Sequence, residues 1–91
     1  MIAKQVIFSG KVQGVGFRYQ TKEIALGFDV VGWVKNLPEG TVELQVAGEE
    51  EEINDFLTEI TEESELASLI KEFHSFDLPG LSACRGFGIV S

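Results

Sequence analysis

The hydrophobic and polar positions along the chain fall into segments of two different periods. Residues 5–9 are mostly β-branched or aromatic and end at a glycine, as in a strand, and residues 30–36 form a second apolar run. Residues 41–46 alternate between polar and apolar positions, which predicts a strand with one buried face. Residues 37–40, Leu-Pro-Glu-Gly, suit a tight turn. The two strands on either side of that turn are therefore predicted to form a hairpin.

Two further segments carry apolar or small residues at the spacing of an amphipathic helix. The positions are Phe17, Thr21, Ile24, Ala25 and Phe28 in the first helix, and Ile53, Phe56, Leu57 and Ile60 in the second. Gly27 is predicted to lie near the end of the first helix. Four glutamates, residues 49–52, precede the second, and acidic side chains stabilise the first turn of a helix. Both segments are therefore predicted to be helices with one buried face.

The remaining segments complete the predicted order of strands and helices, and this order indicates a fold. Residues 62–68 are predicted to be a polar connection, residues 69–76 a fourth strand, and residues 87–90 a short strand that extends the sheet or pairs at its edge. The order strand, helix, strand, strand, helix, strand predicts an α+β ferredoxin-like βαββαβ sandwich, an antiparallel sheet with two helices on one face. There the first two strands are parallel, with the third between them. The loop after residue 9 is therefore expected about 10 Å, two strand spacings, from Asn36.

The length and composition of the chain restrict the number of domains, the cellular location and the kinds of site that are expected. A chain of 91 residues predicts a single domain over residues 1–91, and 44% hydrophobic residues are enough for one modest core. No stretch approaches the roughly 20 apolar residues of a membrane span, and Lys4 interrupts the start before a signal-peptide core forms. Cys84 is the only cysteine, which excludes an intramolecular disulfide and a cysteine-based metal site. We therefore expect a cytoplasmic protein that does not bind membranes.

The net charge of −8 is unevenly distributed along the chain. Residues 1–36 contain five basic and two acidic side chains, whereas residues 37–91 contain two basic and thirteen acidic ones. A small anion would be attracted to the first part and repelled by the rest, while a polyanion such as RNA would meet both. The distribution therefore favours a small anionic ligand, although the acidic half also serves solubility.

A glycine-rich loop lies in the basic part, directly after the first strand. Gly10, Gly14 and Gly16 can adopt positive φ at no steric cost, so the loop can turn several backbone N–H groups inward as an anion-binding nest. The N-terminus of the following helix adds partial positive charge, and Arg18 adds a guanidinium that suits a phosphoryl group. The loop is not a Walker P-loop, since no Gly-Lys-Ser/Thr follows, and Tyr19 stands where a dinucleotide fingerprint needs glycine or alanine. The pattern predicts a phosphate site of another kind.

Residues 10–18 (GKVQGVGFR) and 32–36 (GWVKN), followed by residues 40–43 (GTVE), closely resemble the two signature motifs of the acylphosphatase family. The spacing between the motifs also matches, and the resemblance is dense over residues 5–48 and weaker beyond. It implies a ferredoxin-like sandwich that hydrolyses the carboxyl-phosphate bond of acyl phosphates to carboxylate and inorganic phosphate. It also implies that the reaction needs neither a metal nor another cofactor.

The resemblance implies particular roles for one loop and two side chains. The family's phosphate-binding arginine falls on Arg18, and its water-orienting asparagine falls on Asn36. Backbone N–H groups that are expected to bind the phosphoryl oxygens belong to Gln13, Gly14, Val15, Gly16, Phe17 and Arg18. The expected ligands are a small acyl phosphate and inorganic phosphate. We expect a monomer that binds no nucleic acid.

Two other functions remain open at this point. One is a noncatalytic ferredoxin-like domain that binds a small anion and regulates another activity. The other is a module that handles carbamoyl phosphate, as in hydrogenase-maturation proteins whose N-terminal domain resembles this chain. Steady hydrolysis of benzoyl phosphate by the purified protein would distinguish both from the main hypothesis.

One further motif needs an interpretation. Residues 85–90 (RGFGIV) resemble the RNP1 motif of RNA-recognition domains, which share the predicted fold. That motif belongs on the third strand, however, and the negative charge of this chain opposes RNA binding. We therefore interpret the similarity as chance, and we expect Phe87 and Ile89 to face the core.

Some residues outside the two motifs are interpreted as structural. Trp33 is expected to pack at the core or its rim, Cys84 to pack or lie at the surface, and His74 to be an ordinary strand residue rather than a metal ligand. Many members of the family have a Gly-Pro pair after the second helix, where this chain has residues 63–66 (ESEL). The shape of that connection and of the fourth strand is therefore not predicted by the resemblance.

Overall fold

A computed structural model describes residues 1–81 and 85–90. Its strands and helices follow one another as β1 Ile2–Gly10, α1 Phe17–Ala25, β2 Val30–Asn36, β3 Val42–Gly48, α2 Glu50–Thr58, β4 Ile70–Leu78 and β5 Phe87–Val90. The sheet has the order β4-β1-β3-β2-β5, and the pairs β4–β1, β1–β3 and β3–β2 are antiparallel. The predicted ferredoxin-like α+β fold is confirmed. The sheet is mixed rather than purely antiparallel, because β5 pairs in parallel with β2.

The alternation seen in the sequence buries one face of the sheet. Val6 lies opposite Leu44, and Phe8 lies opposite Val42, and none of these four side chains has any exposed surface. Neighbours at alternate positions of a strand share a face, so these residues form one continuous apolar layer. Burial of each such side chain contributes about 1.5–3 kcal/mol to the stability of the fold.

Both helices pack on that layer, as predicted. The Phe17 ring of α1 contacts the Phe8 ring with 5.3 Å between centroids, and the Phe56 ring of α2 contacts the Phe87 ring at 5.8 Å. The helical spacing explains the contacts, because Phe17, Thr21 and Ala25 lie on one side of α1 and all are buried. The opposite face of the sheet carries no helix among the described residues.

The connection after α2 differs from the predicted polar loop. A π-helical turn over Glu59–Glu63 continues the helix, and a 3₁₀ helix follows over Glu65–Leu69. Between them, the Ser64 hydroxyl donates to the Ile60 carbonyl at 3.0 Å and accepts from the Leu66 N–H at 3.1 Å. Leu66 is fully buried, so this segment anchors in the core instead of crossing the surface.

The two outer strands are more exposed than the central ones. On β4, which has β1 as its partner strand, Phe73 and Phe76 keep 44% and 52% of their surface exposed. On β5, Phe87 faces the core as predicted, but the expectation for Ile89 is wrong, because its side chain is 42% exposed. Ile89 pairs with Val34 near the end of the sheet, where it lines a cavity rather than the core.

The residues outside the two motifs are only partly covered by the structure. Trp33 is half-buried on β2, and His74 is an exposed residue of β4, as expected for structural positions. Cys84 lies outside the described residues. No helix in residues 1–81 and 85–90 has the length and apolar character needed to cross a bilayer.

Candidate active site

The loop between β1 and α1 has the backbone shape that its glycines predict. Gly14 and Gly16 have φ of 74° and 76°, in the left-handed region that other residues seldom adopt. A Cβ at either position would meet no atom within 4 Å, so the backbone conformation, not crowding, favours glycine there. Gly16 is also the N-cap residue of α1, and no side chain caps the helix. The first N–H groups of α1 are therefore available to a ligand.

This loop and the end of β2 border an open cavity of about 170 Å³. The residues that line it are Val12, Gly14, Gly16, Phe17, Arg18, Tyr19, Asn36 and Ile89. The cavity is smaller than the roughly 300–1,000 Å³ of sites that enclose a drug-sized ligand. A small polar group such as a phosphoryl group suits its size and its mixed lining.

The structure brings together most of the residues predicted for a phosphate site. Gly14, Gly16, Phe17, Arg18 and Asn36 line the same cavity, as the ferredoxin-like topology requires. Two predicted residues do not line it. Val15 is 39% exposed and is not among the lining residues, and the side chain of Gln13 is hydrogen-bonded to the backbone elsewhere.

Arg18 is positioned at the start of α1, one residue after the buried Phe17. Its side chain is half-buried, and no carboxylate within the described ranges lies within 4.0 Å of its guanidinium. Nor does the guanidinium form a hydrogen bond with any residue of those ranges. A guanidinium presents five N–H donors in a planar fork, so these donors are available to an anion in the cavity.

Asn36 is the last residue of β2 and lines the cavity together with residues of the glycine loop. Its Oδ1 is buried and accepts no hydrogen bond from the residues that the structure covers. Leaving a buried acceptor unpaired costs about 1–3 kcal/mol. A donor bound beside Asn36, such as a water molecule, would offset that cost.

Gln13 connects the glycine loop to the turn that follows β2. Its side-chain Nε2 donates to the carbonyl of Leu37 at 2.8 Å and to the carbonyl of Thr41 at 2.9 Å. The turn also has its own bonds, from the Leu37 N–H to the Thr41 carbonyl at 2.9 Å and from the Gly40 N–H to the Leu37 carbonyl at 3.1 Å. The Gln13 side chain therefore contacts the protein itself and not the cavity.

Tyr19 and Ile89 are lining residues that the sequence analysis did not assign to the site. A hydrogen bond with the Glu23 carboxylate, together with its negative charge, raises the pKa of the Tyr19 phenol from its usual value of 10.0. The phenol is therefore neutral at physiological pH. Tyr19 directly follows Arg18, which is a signal that could have identified it, whereas only the parallel pairing of β5 brings Ile89 to the site.

The lining of the cavity also limits its chemistry. It contains no His, Cys, Asp or Glu, the residues that most often act as general bases or metal ligands. Across residues 1–81 and 85–90, no group of three or more such side chains is arranged to hold a metal ion. The arrangement offers N–H donors, one permanent positive charge and one carboxamide.

Comparison with known proteins agrees with these features. The family model described as Acylphosphatase matches residues 4–89. An acylphosphatase of Bacillus pumilus is 39% identical over 89 residues, which cover 98% of each chain, and one of Methanospirillum hungatei is 41% identical over 69 residues, 76% of each.

Solved structures give the same result. The crystal structure of acylphosphatase from Bacillus subtilis superimposes with a TM-score of 0.89 at 32% identity, over 100% of both chains. The structure of full-length HypF in its phosphate- and nucleotide-bound form is similar over 99% of this chain but only 12% of its own, with a TM-score of 0.84 and 32% identity. The chain therefore belongs to the acylphosphatase family and is an enzyme of that family.

Proposed function

We propose that this cavity hydrolyses acyl phosphates by in-line attack of a water molecule that Asn36 orients, without a metal ion. The observation that carries the proposal is the combination of Arg18 and the unpaired Oδ1 of Asn36 in one small cavity. The guanidinium would bind the anionic phosphoryl group, and the carboxamide would bind the nucleophile beside it. The substrate class follows from the family, and the roles of the residues follow from their chemistry.

The phosphoryl group would be held by the backbone of residues 13–18 and by Arg18. Gly14 and Gly16 give the loop the left-handed turns that allow successive N–H groups to point inward. Hydrogen bonds in which one partner is charged are worth about 1.5–3 kcal/mol each. One or two such bonds from Arg18, added to those of the loop, would neutralise charge on the nonbridging oxygens.

Asn36 would orient the attacking water, because a carboxamide both donates and accepts hydrogen bonds. Its Oδ1 would accept a hydrogen bond from the water, and this bond would orient a lone pair of the water oxygen toward phosphorus. An acyl phosphate needs little more than this, since its leaving group is a weakly basic carboxylate. Positioning and electrostatic stabilisation supply most of the catalysis in phosphoryl transfer.

The chemical step balances without a protein base. The water oxygen forms a bond to phosphorus while the bond from phosphorus to the acyl oxygen breaks, and the electron pair of that bond leaves with the carboxylate. The proton of the water passes to a phosphoryl oxygen or to solvent, because the described residues of the cavity lining include no His, Cys, Asp or Glu that could accept it. The products are a carboxylate and inorganic phosphate.

Hydrolysis of benzoyl phosphate by the purified chain tests this proposal. We expect steady turnover that is unchanged by EDTA, and competitive inhibition by inorganic phosphate. Binding of phosphate without turnover would instead support a noncatalytic anion-binding domain, and loss of turnover in EDTA would contradict the metal-free step. A strong preference for carbamoyl phosphate over benzoyl phosphate would support a carbamoyl-phosphate-handling module.

The oligomeric state of the protein can be tested under the conditions of the same assay. We propose that the enzyme acts as a monomer without cofactors or nucleic acid, since a net charge of −8 opposes binding of a polyanion. Light scattering at the concentration of the assay checks the monomer. Activity that appeared only in a larger species would contradict it.

A further inference from the structure

The side chain of Gln13 forms the most specific contact near the site that the proposed mechanism does not use. An amide nitrogen carries two hydrogens, and both are directed at backbone carbonyls, of Leu37 at 2.8 Å and Thr41 at 2.9 Å. Both partners are acceptors, so the nitrogen rather than the oxygen of the amide must face them. The two carbonyls lie at the beginning and end of the turn between β2 and β3.

This contact joins two parts of the site that no strand pairing connects directly. The loop follows β1, Asn36 ends β2, and β3 lies between those strands. On its other side, the loop is held by the Lys11 N–H, which donates to the Leu69 carbonyl at 2.9 Å. On the side of β2, Gln13 attaches the loop through its hydrogen bond to Leu37, the residue that directly follows Asn36.

We propose that Gln13 is a positioning residue that sets the distance between the phosphoryl-binding loop and the Asn36 carboxamide. The inference rests on the proposed function, since it assigns a role relative to the same reaction. If the Gln13 amide is removed, both carbonyls keep a hydrogen bond within the turn. The Thr41 carbonyl still accepts from the Leu37 N–H, and the Leu37 carbonyl still accepts from the Gly40 N–H. The turn should therefore stay closed while its position relative to the loop becomes less fixed.

The substitution Gln13→Met tests this role, because methionine has a similar length but no donor. We expect kcat for benzoyl phosphate to fall about tenfold to a hundredfold, the scale of a misplacement of roughly 1 Å. KM and the inhibition constant of inorganic phosphate should change less than about threefold, since the loop and Arg18 still bind the phosphoryl group. A kcat within about twofold of the wild-type value would overturn the proposal.

A matched control separates positioning from general loss of stability. Ser64→Ala removes a hydroxyl that also makes two hydrogen bonds, but in the connection between α2 and β4. It should lower the melting temperature and leave kcat unchanged. An equal fall of kcat in both variants would mean that Gln13 acts only through stability.

A double-mutant cycle with Asn36→Ala identifies what Gln13 positions. If Gln13 acts by placing Asn36, then Gln13→Met should change kcat less than about twofold once the carboxamide is absent. A further loss as large as in the wild-type background would show that the two residues act independently. That result would overturn the proposed link.

A measurement without turnover distinguishes this inference from the proposed function. If the wild-type chain fails to hydrolyse benzoyl phosphate, the proposed function fails, and NMR with inorganic phosphate then tests the link alone. Phosphate should shift the side-chain amide signals of Asn36 in the wild-type chain, and most of that response should be lost in Gln13→Met. The same response in both proteins would contradict the positioning role.

Discussion

The basic first part of the chain and the acidic second part contribute differently to the molecule. Of the described residues that line the cavity, all except Ile89 come from residues 12–36. The acidic part supplies much of the core instead, with fully buried side chains such as Leu44, Ile53 and Leu66. Backbone shape and local charge in one short stretch therefore build the site, whereas the rest mainly requires apolar positions that hold the sheet and helices together.

The charges of the two parts also act in opposite directions on a ligand. Residues 1–36 hold five of the seven basic side chains, and residues 37–91 hold thirteen of the fifteen acidic ones. A dianion is therefore expected to be attracted by the first part of the chain, which contains Arg18, and repelled by the acidic side chains of the second part. Substitutions of the same type should consequently have large effects on catalysis in the first part and small ones in the second.

The largest difference is expected between two arginines. Arg18→Ala should lower kcat/KM at least about 10²–10³-fold, the scale for removal of one key oxyanion donor, and should weaken inhibition by phosphate. Arg85→Ala, which removes an exposed arginine from the second part, should retain wild-type kinetics. Benzoyl phosphate assays on both variants check the contrast. Near-wild-type turnover of Arg18→Ala would reject its role in binding the phosphoryl group.

A pair of asparagines should separate binding from turnover. Asn36→Ala should lower kcat about a hundredfold through loss of the oriented water, with little change in the inhibition constant of phosphate. Asn54→Ala on the exposed side of α2 serves as the control and should change neither. Phosphate inhibition and kcat are measured on both. Weaker phosphate binding with intact kcat would contradict the assignment of Asn36.

Two glycines in the same left-handed backbone conformation give a more moderate contrast. Gly16 and Gly86 have φ of 76° and 70°, and a Cβ at either would meet no atom within 4 Å. Alanine at either position should lower the free energy of unfolding by about 1–2 kcal/mol, because the left-handed conformation disfavours a Cβ. Gly16→Ala alone should also reduce kcat/KM, by about tenfold, since it distorts the loop.

Denaturant unfolding and benzoyl phosphate assays together decide that comparison. Equal losses of stability with unequal losses of activity are the expected outcome. If Gly86→Ala lost as much activity as Gly16→Ala, strain in the loop would have no special connection with the site.

The sequence predicted the fold best where local pattern and topology agree. The alternation at residues 41–46 and the helical spacing from Phe17 to Ala25 both recur in the structure, because each pattern reports directly which side is buried. The connection after α2 was predicted as a polar loop, but it consists of a π-helical turn and a 3₁₀ helix. Its path depends on the Ser64 hydrogen bonds and on the burial of Leu66, which are tertiary features and leave no period in a segment rich in glutamate.

The candidate site was predictable to a similar degree. Arg18 and Asn36 meet in one cavity because the order of strands places the ends of β1 and β2 at one edge. The Gln13 contacts span 24 and 28 residues, and no local pattern indicates them. Ile89 shares a face of β5 with Phe87, so alternation predicts burial for both. Only the three-dimensional position of Ile89 at the end of the sheet shows that it borders the cavity.

The smallest effect is expected from pH, and it concerns Tyr19 in the first part of the chain. Hydrogen bonding and charge from Glu23 raise the pKa of the phenol above 10.0, so the pair contributes stability that is present below pH 10.0 and is lost as pH rises through the raised pKa. Between about pH 7 and 9 the phenol stays neutral and the described part of the cavity lining contains no His, Cys, Asp or Glu, so kcat should be nearly constant. Tyr19→Phe should leave that profile flat and alter kcat less than about threefold, because a neutral phenol supplies no proton in the proposed step. A bell-shaped profile in this range, measured with a substrate whose phosphoryl group is fully ionised, would require a general base outside the cavity lining and would contradict a mechanism based on positioning alone.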